Sequence, residues 1–387
     1  MIIGSAKLVI DLGNSETRVK TYYGKNVKGN SRSKLTILDN RYSAVPDEKV
    51  NLYMNDDSYN GKNSSLFRLD NGAYYCNGNL CNIEMSQTSF RPSALEKKYD
   101  ASVTKLTIIN AIKQGILDVA KLSDCPCDKM DIDWELHLLL PPEDLEGGAK
   151  KLANMAKSIK SVDFLMPKLK KDVNIRKVMV YPEGMCAFFG VIYERKGIIR
   201  PDYRYLIEPT ESTIIFDIGA GTTDIVLVRG CQVVQSSRFT KEIGGNNVHR
   251  LVQRDLRNKG ISLPDDVIRQ GTNVGYIRSG SRIIDISNSI SEAKKAVSNQ
   301  LVDAVQEFFE SSMISIRTIS NILVCGGGAE IPENDSIEPI SNYIVNYMRR
   351  LSPDIKLVVA PTIKVNDDWE TMSPRLMNII GAGILAE

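Results

Sequence analysis

Histidine is nearly absent from this chain of 387 residues, occurring only at positions 137 and 249. A Ser-His-Asp or Cys-His hydrolase is therefore poorly supported, and acid–base chemistry falls to carboxylates or to metal-bound water. His137 stands in the apolar run Trp134-Glu135-Leu136-His137-Leu138-Leu139-Leu140 and reads as a satisfied strand histidine. Excess charge is lacking too. The formal net charge is +2, which argues against a general polyanion-binding surface. The most basic stretch, Lys168, Lys170, Lys171, Arg176 and Lys177, reads as a solvated face. No apolar run approaches the roughly 18 residues of a membrane span. The opening Met1-Ile2-Ile3-Gly4-Ser5-Ala6-Lys7 leads straight into a strand pattern, so a cytoplasmic location is expected. The seven cysteines are odd in number and show no disulfide rhythm. Cys125-Pro126-Cys127 and the pair Cys76 and Cys81 fit zinc-ligand spacing only in part, and reduced structural thiols are the alternative.

What is present is a motif that occurs twice. An apolar run ends in Asp11-Leu12-Gly13-Asn14-Ser15-Glu16-Thr17-Arg18, and a second one in Asp217-Ile218-Gly219-Ala220-Gly221-Thr222-Thr223-Asp224. Each copy returns at once to β-branched residues. The pattern predicts two β-hairpins whose tight turns offer backbone N–H groups and hydroxyls to an anion. Two such turns suggest two similar domains that face each other across a cleft, with an anionic ligand and a metal between them.

Strand and helix patterns alternate through both halves, which gives an α/β class. The boundaries expected are a first domain of residues 1–200 plus 365–387 and a second of 201–364. Residues 29–100, rich in Asn, Ser, Tyr and Gly, read as a small inserted subdomain; a second insertion is expected at about 250–288.

Candidate ligand residues follow from this frame. Gly13, Asn14, Ser15 and Thr17 form the first turn, with Arg18 placed to neutralise phosphate charge. Gly219, Ala220, Gly221, Thr222 and Thr223 form the second. Asp11 and Asp217 end equivalent buried strands. A carboxylate there holds a hydrated Mg2+ or caps its own turn. Gly326-Gly327-Gly328-Ala329 follows a strand and offers bare backbone to a flat ligand or ribose; Gly244-Gly245 opens a helix beside the same ligand. Glu183, at the turn Pro182-Glu183-Gly184, orients or deprotonates an attacking water, or simply answers a helix dipole. Lys294 or Lys295 borders a purine, or lies on a solvated helix face.

Taken in order, these motifs resemble the actin, heat-shock chaperone and sugar-kinase superfamily. Asp11 to Arg18 is similar to its first phosphate motif and Tyr181-Pro182-Glu183-Gly184 to its first connecting motif. Asp217 to Asp224 is similar to its second phosphate motif, Cys325-Gly326-Gly327-Gly328-Ala329-Glu330 to its adenosine motif, and Asn378-Ile379-Ile380-Gly381-Ala382-Gly383 to its second connecting helix. Within it, the glycine run and Glu183 resemble most the bacterial plasmid-segregating actins of the ParM type; Arg18 stands where that group usually has Lys. The resemblance implies an actin-like fold of two ribonuclease-H-like α/β domains around a nucleotide cleft, each with an inserted subdomain. It implies an ATPase that takes ATP (or GTP) with Mg2+, in which Asp11, Asp217 and Glu183 carry the chemistry and Asp11 and Asp217 hold the metal through water. It also implies homopolymeric filaments that segregate plasmid (or phage) DNA through a small DNA-binding adaptor, with no direct DNA binding and no membrane. Other cytoskeletal actin-like roles and a small-molecule kinase are the alternatives.

Overall fold

The computed structural model describes residues 2–25, 31–55, 64–83, 89–93, 96–127, 130–169, 172–280, 282–331, 339–365 and 368–387. Lys170 and Lys171 of the basic stretch lie outside these residues, as do parts of both expected insertions.

Two sheets carry the two motifs. In the first, the strand Ile2–Leu12 is central: it pairs antiparallel with Glu16–Lys25 and parallel with Met130–Leu140. The strands Ser31–Asp39 and Asn174–Pro182 close the two edges. In the second, Ser212–Ile218 is central, antiparallel to Thr223–Arg229 and parallel to Asn321–Cys325. Every residue of Ser212–Ile218 is buried, as expected for a strand covered on both faces.

Helices cover the outer faces. The helix Ser102–Ser123 repeats apolar residues at three- and four-residue spacing (Val103, Leu106, Ile109, Ile112, Ile116, Val119) and lays them on the first sheet. It stops at Asp124, which takes the left-handed conformation of a helix C-terminus. Gly245–Asn258, Ser287–Ser312 and Ile340–Leu351 do the same for the second sheet.

The inner faces of both sheets meet a shared layer. The helices Met185–Ile192 and Met377–Ala386 pack together, and one apolar cluster joins them to Val9 and Leu139 of the first sheet and to Ile215, Val226 and Leu323 of the second. Contact between these helices is so close that a Cβ on Gly381 would lie 1.6 Å from the Cys186 carbonyl oxygen. Any side chain there forces the two helices apart.

The expected 29–100 insertion is smaller at its start. Residues 31–39 belong to the first sheet, because Leu35 and its neighbours pair with Glu16–Lys25. The small sheet is built from Tyr42–Val45, Ser64–Arg68, Tyr74–Gly78 and Ser89–Phe90, and it recruits the distant strand Asp163–Met166. In the second half, the helix Asp265–Val274 and the hairpin Tyr276–Ser279/Arg282–Asp285 interrupt the α/β alternation.

Candidate functional site

The two turns share one register. Across the first hairpin Asp11 faces Arg18 and Leu12 faces Thr17; across the second Asp217 faces Asp224 and Ile218 faces Thr223. Both turns line a single cleft of about 450 Å3 between the sheets.

At the deep end lie four carboxylates, Asp11, Glu183, Asp217 and Asp224, each no more than 7% exposed. Each is held by a donor. Arg18 Nη1 lies 3.2 Å from Asp11 Oδ2, Asn378 Nδ2 donates to Asp217 Oδ2 at 2.5 Å, Thr240 Oγ1 donates to Asp224 Oδ1 at 2.5 Å, and Lys98 Nζ pairs with Glu183 Oε1 at 2.5 Å. Glu183 is carried to this point by the end of the strand Asn174–Pro182 and by Gly184, whose φ of +70° suits glycine. Asn378 does double work: its Oδ1 also accepts from the backbone N–H groups of Gly184 and Ala187, so one amide ties Asp217 of the second sheet to the start of a central helix.

Burial pushes the Glu183 carboxyl up to about 8, against the pull of Lys98, and the other three carboxylates push in the same direction. Burial and then Asp217 raise Asp224 to about 7, and burial raises Asp217. For Lys98, burial alone would lower the ammonium; the carboxylates around it, Glu183 first, outweigh that and leave it above its usual value. Four carboxylates thus face two cations, Lys98 and Arg18. This excess negative charge at one point in a low-dielectric cleft is what a divalent cation relieves.

The donor set fits a hydrated ion. Among the described residues no three His, Cys, Asp or Glu groups are placed to hold a metal by themselves, and Mg2+ keeps most of its waters and accepts indirect carboxylate contacts. The same finding leaves Cys76 and Cys81 as buried thiols 3.5 Å apart, and gives Cys125 and Cys127 no metal-ligand set.

Of the expected ligand residues, Asp11, Gly13, Asn14, Ser15, Arg18, Glu183, Asp217, Gly219, Ala220, Thr222, Gly326, Gly327 and Gly328 line the cleft. The others stand behind it. Thr17 donates to Asn40 Oδ1, Thr223 donates to the Ile243 carbonyl, and Gly221 is buried in its turn. Gly244 and Gly245 pack against the Gly219 and Gly328 backbones, and Ala329 is fully buried. Lys294 and Lys295 do not reach the cleft wall. Lys294 is buried, its ammonium 5.6 Å from the Tyr343 ring centroid, and Lys295 is exposed on the outer face of its helix. Lys294 lies four residues after Ile290 and next to Ala293, on the helix's buried face, so helical spacing already pointed inward.

Sequence reasoning missed Lys98, Arg375, Arg91, Arg269, Asn246 and His249, all of which line the cleft. Lys98 and Arg91 come from the segment before the helix Ser102–Ser123, where no periodicity marks them. Arg91 Nη1 reaches the Ser15 carbonyl at 3.0 Å and Asp39 at 2.7 Å, bracing the first turn from outside. Burial lowers His249 to about 4, so its ring is neutral. His137 fills its expected role: it stacks on Tyr181 and its Nδ1 lies 3.1 Å from that hydroxyl. Arg176 and Lys177 are paired with Asp133 and Glu135, in keeping with a solvated face.

The chain has the actin-like fold. Residues 215–335, which include the second turn and the glycine loop, match the family model for the C-terminal part of archaeal actin homologues, MreB-like. Solved structures match over nearly the whole chain. The actin-like protein Alp7A has a TM-score of 0.68 at 16% identity, covering 100% of this chain and 96% of its own. A protomer of a 15-stranded ParM filament from Clostridium botulinum has a TM-score of 0.64 at 18% identity, covering 98% of each chain. The archaeal actin homologue Ta0583, in complex with ADP, has a TM-score of 0.65 at 12% identity, covering 99% of each chain. No curated protein matches the chain in sequence. Among the described residues, no helix is long and apolar enough to cross a membrane.

Proposed function

We propose that this protein is a nucleotide-dependent, filament-forming ATPase that segregates plasmid (or phage) DNA through a small DNA-binding adaptor. The observation that carries the nucleotide reading is the pair of turns in one register, lining one cleft with four buried carboxylates at its deep end. The filament reading leans on the fold and on the ParM assembly among its structural neighbours.

In this reading the backbone amides and hydroxyls of Asn14, Ser15 and Thr222 cradle the terminal phosphates of ATP (GTP is the alternative). Asp11 and Asp217 would hold Mg2+ through water, and the ion would supply charge neutralisation to the phosphates. Glu183 orients the attacking water and takes its proton, and Lys98, 2.5 Å away, holds the Glu183 carboxylate in place. Contacts from both lobes to one phosphate chain favour the closed shape, and loss of the terminal phosphate weakens them. A net charge of +2 favours an adaptor over direct DNA contact.

Light scattering and pelleting over a range of protein concentrations, with ATP-Mg2+, ADP-Mg2+, GTP-Mg2+ or no nucleotide, test this reading. Triphosphate-triggered assembly above a critical concentration is expected. Tight ATP binding with turnover only on addition of a small-molecule acceptor, and no assembly, would replace it with a kinase. Glu183→Gln is expected to slow phosphate release by about 100-fold or more while nucleotide binding and assembly persist. Turnover at the wild-type rate would remove Glu183 from the mechanism.

A further inference from the structure

The short turn Pro374–Leu376 borders the cleft, tied to the glycine loop by one hydrogen bond and closed by two of its own. Gly326 N–H of the glycine loop donates to the Pro374 carbonyl at 2.9 Å, Ser373 Oγ accepts from the Arg375 N–H at 3.2 Å, and Leu376 N–H donates to the Ser373 carbonyl at 2.9 Å. Two residues on, Asn378 is fixed by Asp217 and the central helix. The Arg375 side chain therefore leaves a rigid base, and it lines the cleft.

Arg375 and Arg18 converge on one spot. A Cβ placed on Gly327 would lie 2.9 Å from Arg18 Nη2 and 3.7 Å from Arg375 Nε, so two guanidinium groups from the first lobe border the same glycine of the second. Arg18 Nη1 is held by Asp11 Oδ2 at 3.2 Å, and a second carboxylate, Glu16, stands between the two guanidinium groups: its Oε2 is 3.7 Å from Arg18 Nη2 and 3.8 Å from Arg375 Nε. The two Glu16 distances exceed hydrogen-bonding range, and the Glu16 side chain is 34% exposed. Arg18 is nine-tenths buried, and its Nε has no hydrogen-bond partner among the described residues. Two planar donors, one loosely engaged carboxylate and an unpaired buried N–H in a cleft wall describe a subsite for a second, more strongly accepting anion.

We propose that Arg18 and Arg375 form a two-guanidinium clamp for a diphosphate group, with Glu16 as the internal counter-anion that the diphosphate displaces. This rests on the nucleotide reading above and extends it: Arg375, which no motif marks, reads the diphosphate at the crossing between lobes. Glu16 then competes with the ligand, so that its removal strengthens binding.

The test is calorimetric titration of the full chain with ADP, inorganic pyrophosphate and adenosine. Arg375→Gln is expected to weaken ADP and pyrophosphate by about 10- to 100-fold, the loss of a charge-assisted pair of hydrogen bonds, and to change adenosine by about twofold at most. Glu16→Gln is expected to tighten ADP several-fold. Arg375→Lys, which keeps the charge and the stem, is expected to fall between wild type and Arg375→Gln and serves if the glutamine variant does not fold. An Arg375→Gln protein that binds ADP as wild type does, or that loses ADP and adenosine alike, overturns the clamp; the second result would make Arg375 a prop for its turn. A wild-type chain that binds neither ADP nor ATP overturns the nucleotide reading itself, and a wild-type chain that binds ADP but not pyrophosphate puts the clamp's ligand elsewhere.

Discussion

The two hairpins share a backbone and differ in charge. Asp11 and Asp217 occupy the same place in the same register, but the residue across the hairpin is Arg18 in the first and Asp224 in the second. The first turn balances its carboxylate at home, 3.2 Å away on the neighbouring strand. The second doubles its negative charge and takes its partner from the shared layer, through Asn378. A repeated fold supplies geometry twice; chemistry is assigned separately to each copy. On the function proposed above, the first turn receives negative charge and the second faces positive charge. A ligand carrying both, such as a metal–polyphosphate, satisfies the pair where neither half alone would.

The strongest way to break the comparison is to erase it. Arg18→Asp gives the first turn the charge pattern of the second. It removes the guanidinium that faces Asp11 and sets a carboxylate in its place, so Asp11 loses the cation across its hairpin. Affinity for ADP is expected to fall by about 100-fold or more, from the lost charge-assisted contact plus like-charge repulsion. Titration calorimetry reads it directly. Unchanged affinity would mean that the first turn does not receive the phosphates.

A gentler way is to neutralise the two equivalent carboxylates one at a time. Asp11→Asn and Asp217→Asn preserve shape and hydrogen-bonding atoms, and each removes one charge facing the proposed ion. Each is expected to raise the Mg2+ concentration needed for half-maximal ATP turnover by about 10- to 100-fold. Equal shifts would place the ion midway between the lobes. A shift in one variant only would assign it to that lobe, and no shift in either would leave both residues as turn caps.

Much of this arrangement was legible before folding. The turns announce themselves because a strand's two-residue period, a glycine and hydroxyl cluster and a second β-branched run lie within a dozen consecutive residues. Glu183 and the glycine loop are legible for the same reason: each is a local break in a regular pattern. Lys98, Arg91 and Arg375 are not, since they stand in irregular segments and reach the cleft only because distant chain segments pack there. The strand Ser31–Asp39 was misplaced in the insertion because its polar composition hides an edge strand, wet on one side. Lys294 and Lys295 were drawn to the site by charge, although the stripe Ile290, Ala293, Val297 and Leu301 already turned the first of them into the core.

The smallest expected effect sharpens the comparison most, because it isolates the residue whose charge is opposite to that of its counterpart, Arg18, in the first hairpin. Asp224 is buried, and burial followed by the Asp217 charge raises its carboxyl to about 7 from an ordinary aspartate value near 4. A raised carboxyl binds its proton more tightly in the folded chain than in the unfolded one. Its contribution to stability is therefore fully present below about pH 4 and is lost as the pH climbs through about 7. Asp224→Asn removes that penalty and keeps an acceptor for Thr240 Oγ1, whose 2.5 Å donation holds the side chain in place. Without metal or nucleotide, the variant is expected to melt about 2–4 °C above wild type at pH 8 and close to wild type at pH 4. Adding Mg2+ and ATP should reverse the order, since the charge that destabilises the bare cleft is the charge that a bound cation requires. A variant that gains no stability at pH 8 would mean that Asp224 is already paired in solution, and the contrast between the two hairpins would then lie in their shape alone.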